Sequence, residues 1–447
     1  MTNDSKYFKI SNIARRNFMK QKYNFMKRII ITLGVLCSGV MMAQVGHLMQ
    51  GIGSVNMSMG GAATGQPIDI SGALQWNPAG ITDFNGNTVS VNAGLFMSNP
   101  ELSSSYGPMS GVTKDEKANS IMPAVAVTFG KNPHHKFGIS VFGVSGFGVE
   151  YPESTSNPIL MSQQYGGFGK VESNYMLMQV GFAYAYKFNE NFSMAIQPNV
   201  NYSALKIHPN PLANPSMTAG YPNSDNASAI GVGAQVGMYF KTNNGFKLGL
   251  SYKSPVYFNE FKFENTYLDN TKGENKFTMN FPAIYSVGAG YSHRLFDLAL
   301  DYRYVDYENT EGFLANGWSN YGAVKGFGWE SIDVISAGIQ IKAIEKLPIR
   351  LGYTYSSNPI NPELTMFSVP ASAIIRDAYE IGVGYKLNDK FTINANYHYG
   401  ASDGKTSGAL LNPMMASPSN PYGAIPGSTV AYEMTTSMAQ IGVDFKF

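Results

Sequence analysis

The chain is poor in cysteine, in charge and in long apolar runs, and each shortage removes a class of protein. Its one cysteine, Cys37, lies in a segment that reads as an export signal, so the mature chain has none and forms no internal disulfide. Charged residues make up 14% of the chain, against about 25% in a typical soluble domain. A net charge of +2 suggests no polyanion, and hence no nucleic acid, as partner. After the export signal no apolar run reaches the roughly 18 residues of a spanning-helix candidate, and mean hydropathy is −0.13, which excludes a helical membrane protein. Zinc-ligand spacing, phosphate loops and nucleotide fingerprints are missing. Neither metal nor cofactor is expected.

Residues Met26 to Gln44, MKRIIITLGVLCSGVMMAQ, have the build of a secretory signal. Lys27 and Arg28 form its basic start, Ile29 to Met42 its apolar core, and cleavage is expected after Ala43. That core is short of the roughly 20 residues a membrane span needs. Upstream, Arg15-Arg16-Asn17-Phe18-Met19-Lys20 resembles a twin-arginine motif. That route carries folded proteins, so translation from Met26 (or Met19) behind an upstream extension is the simpler reading. Residues 1–43 are therefore assigned to extension plus signal, 44–86 to a hatch and 87–447 to a barrel.

The hatch assignment rests on Gly51 to Gly80, GIGSVNMSMGGAATGQPIDISGALQWNPAG. It is rich in small residues, holds no Lys, Arg or Glu, and has neither a 2 nor a 3.6 period. Glycines and small side chains allow tight backbone paths packed close to other surfaces. It ends at Asn77-Pro78-Ala79, a turn-initiating pair and a small residue.

Beyond it, apolar and small or polar residues alternate. Met176, Met178, Val180, Phe182, Tyr184 and Tyr186 share one face, and Leu177, Gln179, Gly181, Ala183 and Ala185 the other. Ile230, Val232, Val236, Met238 and Phe240 alternate with Gly231, Gly233, Gln235 and Gly237, as Tyr379, Ile381 and Val383 do with Glu380 and Gly382. Bulky apolar residues on one face and small or polar ones on the other fit lipid outside and a crowded lumen inside. Strands are expected to start near Thr88, Ile121, Phe137, Ser173, Phe192, Ala229, Phe246, Met279, Leu295, Ile332, Ile349, Tyr379, Phe391 and Glu433. Short turns alternate with long loops rich in Pro, Asn, Ser and Gly, the asymmetry of periplasmic and extracellular ends. An even count puts both chain ends on the periplasmic side. The fold class is all-β, a 14-stranded antiparallel transmembrane barrel with an N-terminal plug in its lumen. The last strand alternates to a terminal Phe447, resembling the signal read by the outer-membrane insertion machinery.

Asn77-Pro78-Ala79 at a plug-to-strand boundary, after Gly51, Gly53 and Gly60 to Ala63, resembles the outer-membrane long-chain fatty acid and aromatic hydrocarbon transporter family. The third strand, FGISVFGVSGFGVEY, is similar to that family's kinked third strand, with Ser145 or a neighbour where a proline is often found. Its phase scrambles at Phe142, Gly143, Gly146 and Gly148, and glycine inside a strand marks a bulge or a close approach. The resemblance implies a monomeric channel in the bacterial outer membrane, in contact with its lipids. Fatty acids or aromatic hydrocarbons would be caught by outer loops and released sideways through the kink. A ligand carboxylate could meet Arg303 or Arg376, which could equally be wall charges paired with Asp301 and Asp377.

An enzyme is not expected. The histidines His47, His134, His135, His208, His293 and His398 form no Ser-His-Asx set at recognisable spacing, although triads are defined by geometry. Two other readings compete with the channel. A structural or adhesive barrel would use the hatch only as a seal, and an open porin would carry rings of lumen charge, which the low charge content opposes.

Overall fold

The computed structural model describes residues 46–117 and 119–447. The signal and cleavage site expected within residues 1–43 lie outside the described residues. From Thr88 onward the two-residue period of the pleat sorts side chains between lipid and lumen. The barrel strands are β1 (Thr88–Tyr106), β2 (Ser120–Phe129), β3 (His135–Tyr151), β4 (Val171–Lys187), β5 (Phe192–His208), β6 (Ala227–Lys241) and β7 (Phe246–Lys253). They continue as β8 (Ala283–Ser292), β9 (Phe296–Asp306), β10 (Ile332–Ile341), β11 (Ile349–Ser356), β12 (Asp377–Lys386), β13 (Phe391–Ala401) and β14 (Thr429–Lys446). Each pairs antiparallel with the next. β14 returns to β1, from Thr88 opposite Lys446 to Ser105 opposite Thr429. The closed 14-stranded barrel leaves no unpaired sheet edge in the bilayer, where water cannot satisfy one.

Orientation follows from burial. Ile381 is 54% exposed and its neighbour Glu380 4%, so the apolar phase faces outward and the charged phase inward, the reverse of a sandwich in water. Short turns at residues 130–134, 188–191, 242–245, 293–295, 342–348 and 387–390 gather at one end, and the long loops at the other.

Two strand starts differ from the sequence reading. β8 begins at Ala283 instead of near Met279, because Phe281 leaves the wall to bridge Val256 and Pro282 has no N–H to give a ladder. β14 begins at Thr429 instead of near Glu433, paired with the upper part of β1. Three short strands also add to the outer rim, among them Met109–Lys114 against residues 101–106. A separate hairpin joins Phe261–Thr266 to Lys272–Phe277. Met109–Lys114 and the hairpin are rich in polar residues, and the hairpin turns Phe261 and Phe263 inward, so neither shows the outward apolar phase of the wall.

Residues 46–87 fill the lumen. They form two short helices, α1 (Gly53–Met57) and α2 (Ile70–Trp76), and a 3-10 segment, Pro78–Asp83. Every residue of α1 and α2 is buried, so neither has the solvent face that creates an amphipathic period. Hatch and wall meet backbone to backbone. Gly60 has φ of 65°, and a Cβ on it would lie 2.6 Å from the Tyr353 carbonyl oxygen and 2.9 Å from that of Ala337. From the wall side, a Cβ on Gly338 would lie 2.5 Å from the Met59 carbonyl oxygen.

Gly338→Val therefore overfills a contact whose nearest atom is a backbone carbonyl oxygen that cannot swing aside, costing more than the about 1–3 kcal/mol of ordinary overpacking. The variant barrel should still insert and keep its heat-modifiable mobility on gels, while proteinase K cuts the hatch between residues 51 and 66. A hatch as resistant as wild type would show that these glycines do not set its seat.

Candidate functional site

The hatch is held to the wall by a few fully buried polar residues, and these explain why the Asn77-Pro78-Ala79 triplet has its composition. Asn77 closes α2 and opens the 3-10 segment. Its backbone N–H donates to the Ala73 carbonyl at 2.9 Å, and its side-chain oxygen accepts the Ala79 N–H at 3.2 Å. Its amide nitrogen donates to the carbonyls of Thr64 at 2.8 Å and of Met238 on β6 at 2.9 Å. Pro78 occupies the first position of the 3-10 turn, where its missing N–H costs nothing. Ala79, fully buried, presents its carbonyl to Ser193 Oγ on β5 at 3.1 Å. One asparagine thus joins two helical segments, a hatch loop and the wall.

Across the lumen, Asp301 on β9 accepts the N–H groups of Ala63, Thr64 and Gly65 at 2.8, 2.7 and 3.4 Å. Arg303 donates to Asp301 at 2.9 Å and to the Gly61 carbonyl at 2.6 Å, and its guanidinium carbon lies 3.8 Å from the Trp76 ring centroid. Arg303 thus has a wall partner and hatch partners at once. Arg376 lies elsewhere. It sits at the outer rim, pairs with Asp403 and lies 3.8 Å from Asp377.

A second buried node holds the segment before α1. Gln50 donates to Thr354 Oγ1 at 2.5 Å and to Glu380 Oε1 at 2.6 Å. Glu380 also meets His398 Nδ1 at 2.9 Å, and His398 Nε2 lies 3.4 Å from Thr436 Oγ1. Carboxylate, imidazole and hydroxyl stand in a row, but all three are 4% exposed or less and the carboxylate is engaged by the hatch. The row is a fastening.

At β3 the scrambled phase becomes a structural break. Buried and outward residues alternate up to Phe142, and then Val144 to Phe147 are all buried. A register shift between Gly143 and Ser145 marks a bulge against β4, as strand glycines foretell. The β2–β3 ladder runs from Phe129 opposite Phe137 to Ala124 opposite Phe142. Above it, β2 stays with β1 to Ser120 and β3 stays with β4 to Tyr151, and no further β2–β3 pair forms among the described residues. The hatch takes up the vacated edge. Leu48 bridges Ser145, and the Met49 N–H donates to the Val144 carbonyl at 2.9 Å. The His47 carbonyl accepts the Gly146 N–H at 2.9 Å and the Ser145 hydroxyl at 2.7 Å. Higher up, Lys117 passes over Gly148, whose Cβ would lie 2.7 Å from its Nζ, and donates to the Ser173 carbonyl at 2.8 Å.

Behind this edge the His47 side chain sits in an aromatic cage. The rings of Tyr175, Phe281, Tyr307, Phe313 and Trp329 have centroids 5.0–5.8 Å from its own. Its Nδ1 meets the Tyr307 hydroxyl at 2.6 Å. Burial pulls the imidazole pKa down to about 3, so the cage holds a neutral, flat ring. Over the cage lies the 3-10 segment Pro362–Ala371. Its Ser368 hydroxyl accepts the Trp329 indole N–H at 2.9 Å, and its Val369 and Pro370 line a neck of about 20 Å³ with Phe168, Trp318 and Met366. The neck opens outward into a groove of about 620 Å³ between the long loops, with Ile159, Tyr221, Leu411 and Met414 along it. Sequence reasoning singled out Asn77, Asp301 and the β3 glycines but not the cage or the Gln50 node. Their members come from strands and loops remote in the chain, and no local pattern marks them.

A closed barrel with an apolar exterior, a polar lumen and an internal hatch is an integral outer-membrane barrel of the transport type. The chain belongs to the outer membrane protein transport protein family (OMPP1/FadL/TodX), whose sequence profile matches residues 34–416. Among solved structures it is similar to the Pseudomonas putida toluene transporter TodX, at 14% identity and TM-score 0.65 over 89% of this chain and 99% of that one. It is also similar to a Pseudomonas aeruginosa FadL homologue, at 12% identity and TM-score 0.69 over 92% and 100%. The Ralstonia pickettii toluene transporter TbuX matches at 15% identity and TM-score 0.62 over 89% and 99%. The search of curated proteins returns no match.

Two predictions follow from this geometry. Asp301→Ala strands a buried arginine and three N–H donors, and should lower unfolding stability by about 3–5 kcal/mol. Adding Arg303→Met should cost less than the sum of the single changes, because the two share partners; strict additivity in denaturant titrations would show that the pair is not one unit. The second concerns pH. Seated, His47 resists protonation down to about pH 3, whereas once released it titrates near 6.5. Its contribution to seating is complete above pH 6.5 and declines as pH falls toward 3. Amide protection factors at residues 46–50, which correct for the intrinsic pH dependence of exchange, should fall over that range, and should stay flat in His47→Phe, which keeps a ring but cannot titrate.

Proposed function

We propose that this barrel takes up hydrophobic compounds, either aromatic hydrocarbons or long-chain fatty acids, by diffusion and without an energy source. The observation that carries the reading is the edge of β3 above Phe142, which β2 leaves and the hatch segment His47–Met49 occupies. A ladder between two wall strands is hard to part in lipid, whereas a short tethered segment can leave an edge and return.

Capture begins in the outer groove. Met217, Tyr321 and Met414 are 94%, 76% and 85% exposed, and methionine's flexible thioether adapts to ligands of varied shape. Apolar burial at roughly 25 cal/mol per Å² is enough to concentrate a lipid-like compound there. The compound then passes the neck, displaces His47 from the cage and leaves between β2 and β3 into the bilayer, with Phe142, Gly143, Gly146 and Gly148 forming the bend. The toluene transporters among the similar structures favour an aromatic cargo, as does the ring-lined cage. Of the two arginines considered for a ligand carboxylate, Arg376 is taken up at the rim by Asp403 and lines neither groove nor neck, and the partners of Arg303 favour a role in seating the hatch. Asn77, Pro78 and Ala79 keep the lower lumen shut.

The test is a reversible lock. Leu48 and Ser145 are bridge partners, at a separation a disulfide accepts, and the only native cysteine lies within the expected signal. Cells producing Leu48→Cys/Ser145→Cys should lose uptake of labelled toluene or labelled long-chain fatty acid when oxidised, and regain it on reduction. Uptake unaffected by the lock would rule out this exit. Uptake of neither compound by the wild type would leave a structural barrel as the better reading.

A further inference from the structure

One buried lysine in the lumen has no carboxylate partner among the described residues. Lys253, at the end of β7, is 2% exposed, and its Nζ has no hydrogen-bond partner among the described residues. Its Nζ lies over the face of Trp76, 5.6 Å from the ring centroid. The nearby carboxylate, Asp301, is fully engaged by Arg303 and by the N–H groups of Ala63, Thr64 and Gly65. The lumen beside Trp76 therefore holds two cations and one carboxylate.

Lys253 also stands at the head of an unsatisfied polar seam. Opposite it on β6 is Gln235, and opposite that on β5 is Gln197. Their amide nitrogens reach the hatch, donating to the carbonyls of Gln75 at 3.2 Å and Leu74 at 3.0 Å, while both side-chain oxygens lack partners. Asn199 Nδ2, Asn201 Oδ1 and Gln179 Nε2 on the same wall lack them too, and all five amides are 2% exposed or less. Buried polar atoms are almost always paired, with ordered water where protein offers nothing. Water can serve the amides, but keeping Lys253 protonated at this depth of burial calls for an opposite charge.

We infer that the seam between α2 and the β4–β7 wall is hydrated and holds a monovalent anion at Lys253, either a free halide or the carboxylate end of a transported compound. The halide form stands independently of the transport reading, and the carboxylate form rests on it. In both, the anion rests on the wall lysine beside α2, off the face of Trp76, so the hatch is seated partly through a bound ion.

Bromide-soaked crystals of the full barrel, read by anomalous scattering, test the site directly. A bromide peak within hydrogen-bond reach of Lys253 Nζ is expected, lost in Lys253→Met or, should that variant fold poorly, in Lys253→Gln. In parallel, bromide should raise the wild-type unfolding temperature by several degrees in a saturable way and leave the variants unmoved. Without halide, Lys253→Met should unfold above wild type, since its unpaired buried charge is gone. Displacement of the bromide by octanoate but not by octanol would assign the site to a ligand carboxylate; bromide retained against both would assign it to a resident ion. If neither bromide nor octanoate binds at Lys253, the inference is overturned and water alone fills the seam.

Discussion

A barrel of fourteen strands is wider than its own side chains can fill, and that excess space is the constraint on which the rest of the structure depends. A separate piece of chain has to occupy the lumen, and the polar groups of both surfaces have to be matched where bulk water is scarce. The solution is economical in residue types. Glycines let two backbones touch, as at Gly60 against β10 and β11. Where they touch, a single buried residue serves several donors or acceptors: Asp301 for the loop after α1, Asn77 for that loop and the turn before the wall, Glu380 for the leading segment. The outer surface needs none of this care, since any bulky apolar side chain meets the demands of lipid.

That contrast explains how much could be read from the chain. The wall is encoded locally: a two-residue period, turn residues and loop lengths sufficed to place the strands, because lipid on one side and lumen on the other impose the alternation on every strand. Errors fell where the alternation stops mattering, at Phe281 and at Thr429, and in rim strands such as Met109–Lys114 that lie beyond the apolar band. The hatch was legible as a compact unit poor in charge but not as two helices, since helices buried on all sides leave no period. Its fastenings were hardest to read. Asp301 stood out only as a charge on a lumen phase, and nothing in the sequence near His47 or Gln50 announces the rings and carboxylate that hold them.

Two kinds of join coexist in the wall. Most strand neighbours share a full ladder, so separating them would expose many backbone groups to hydrocarbon at once. Between β2 and β3 the ladder stops at Phe142; the edge at Val144–Gly146 is satisfied by a segment of the filling, and Glu116 takes up the upper end at Glu150. Strength and mobility are thereby assigned to different parts of the chain. The bulge at Gly143–Ser145 turns the upper part of β3 toward the lumen, which brings Ser145 to the His47 carbonyl.

The seam between β1 and β14 carries a consequence for the order of events during assembly. It joins the first and last strands of the barrel, so its partners are synthesised farthest apart and meet last. The hatch lies across it: Ser54 donates to Asn92 of β1 through both its N–H and its hydroxyl at 2.9 Å, and a Cβ on Gly442 of β14 would lie 2.6 Å from the Ser54 hydroxyl oxygen. A ring closed beforehand would have to admit the folded hatch end-on past these contacts. The cylinder is more simply completed around a filling already in position, with Ser54 and Asn92 acting as the gauge against which the final strand finds its register.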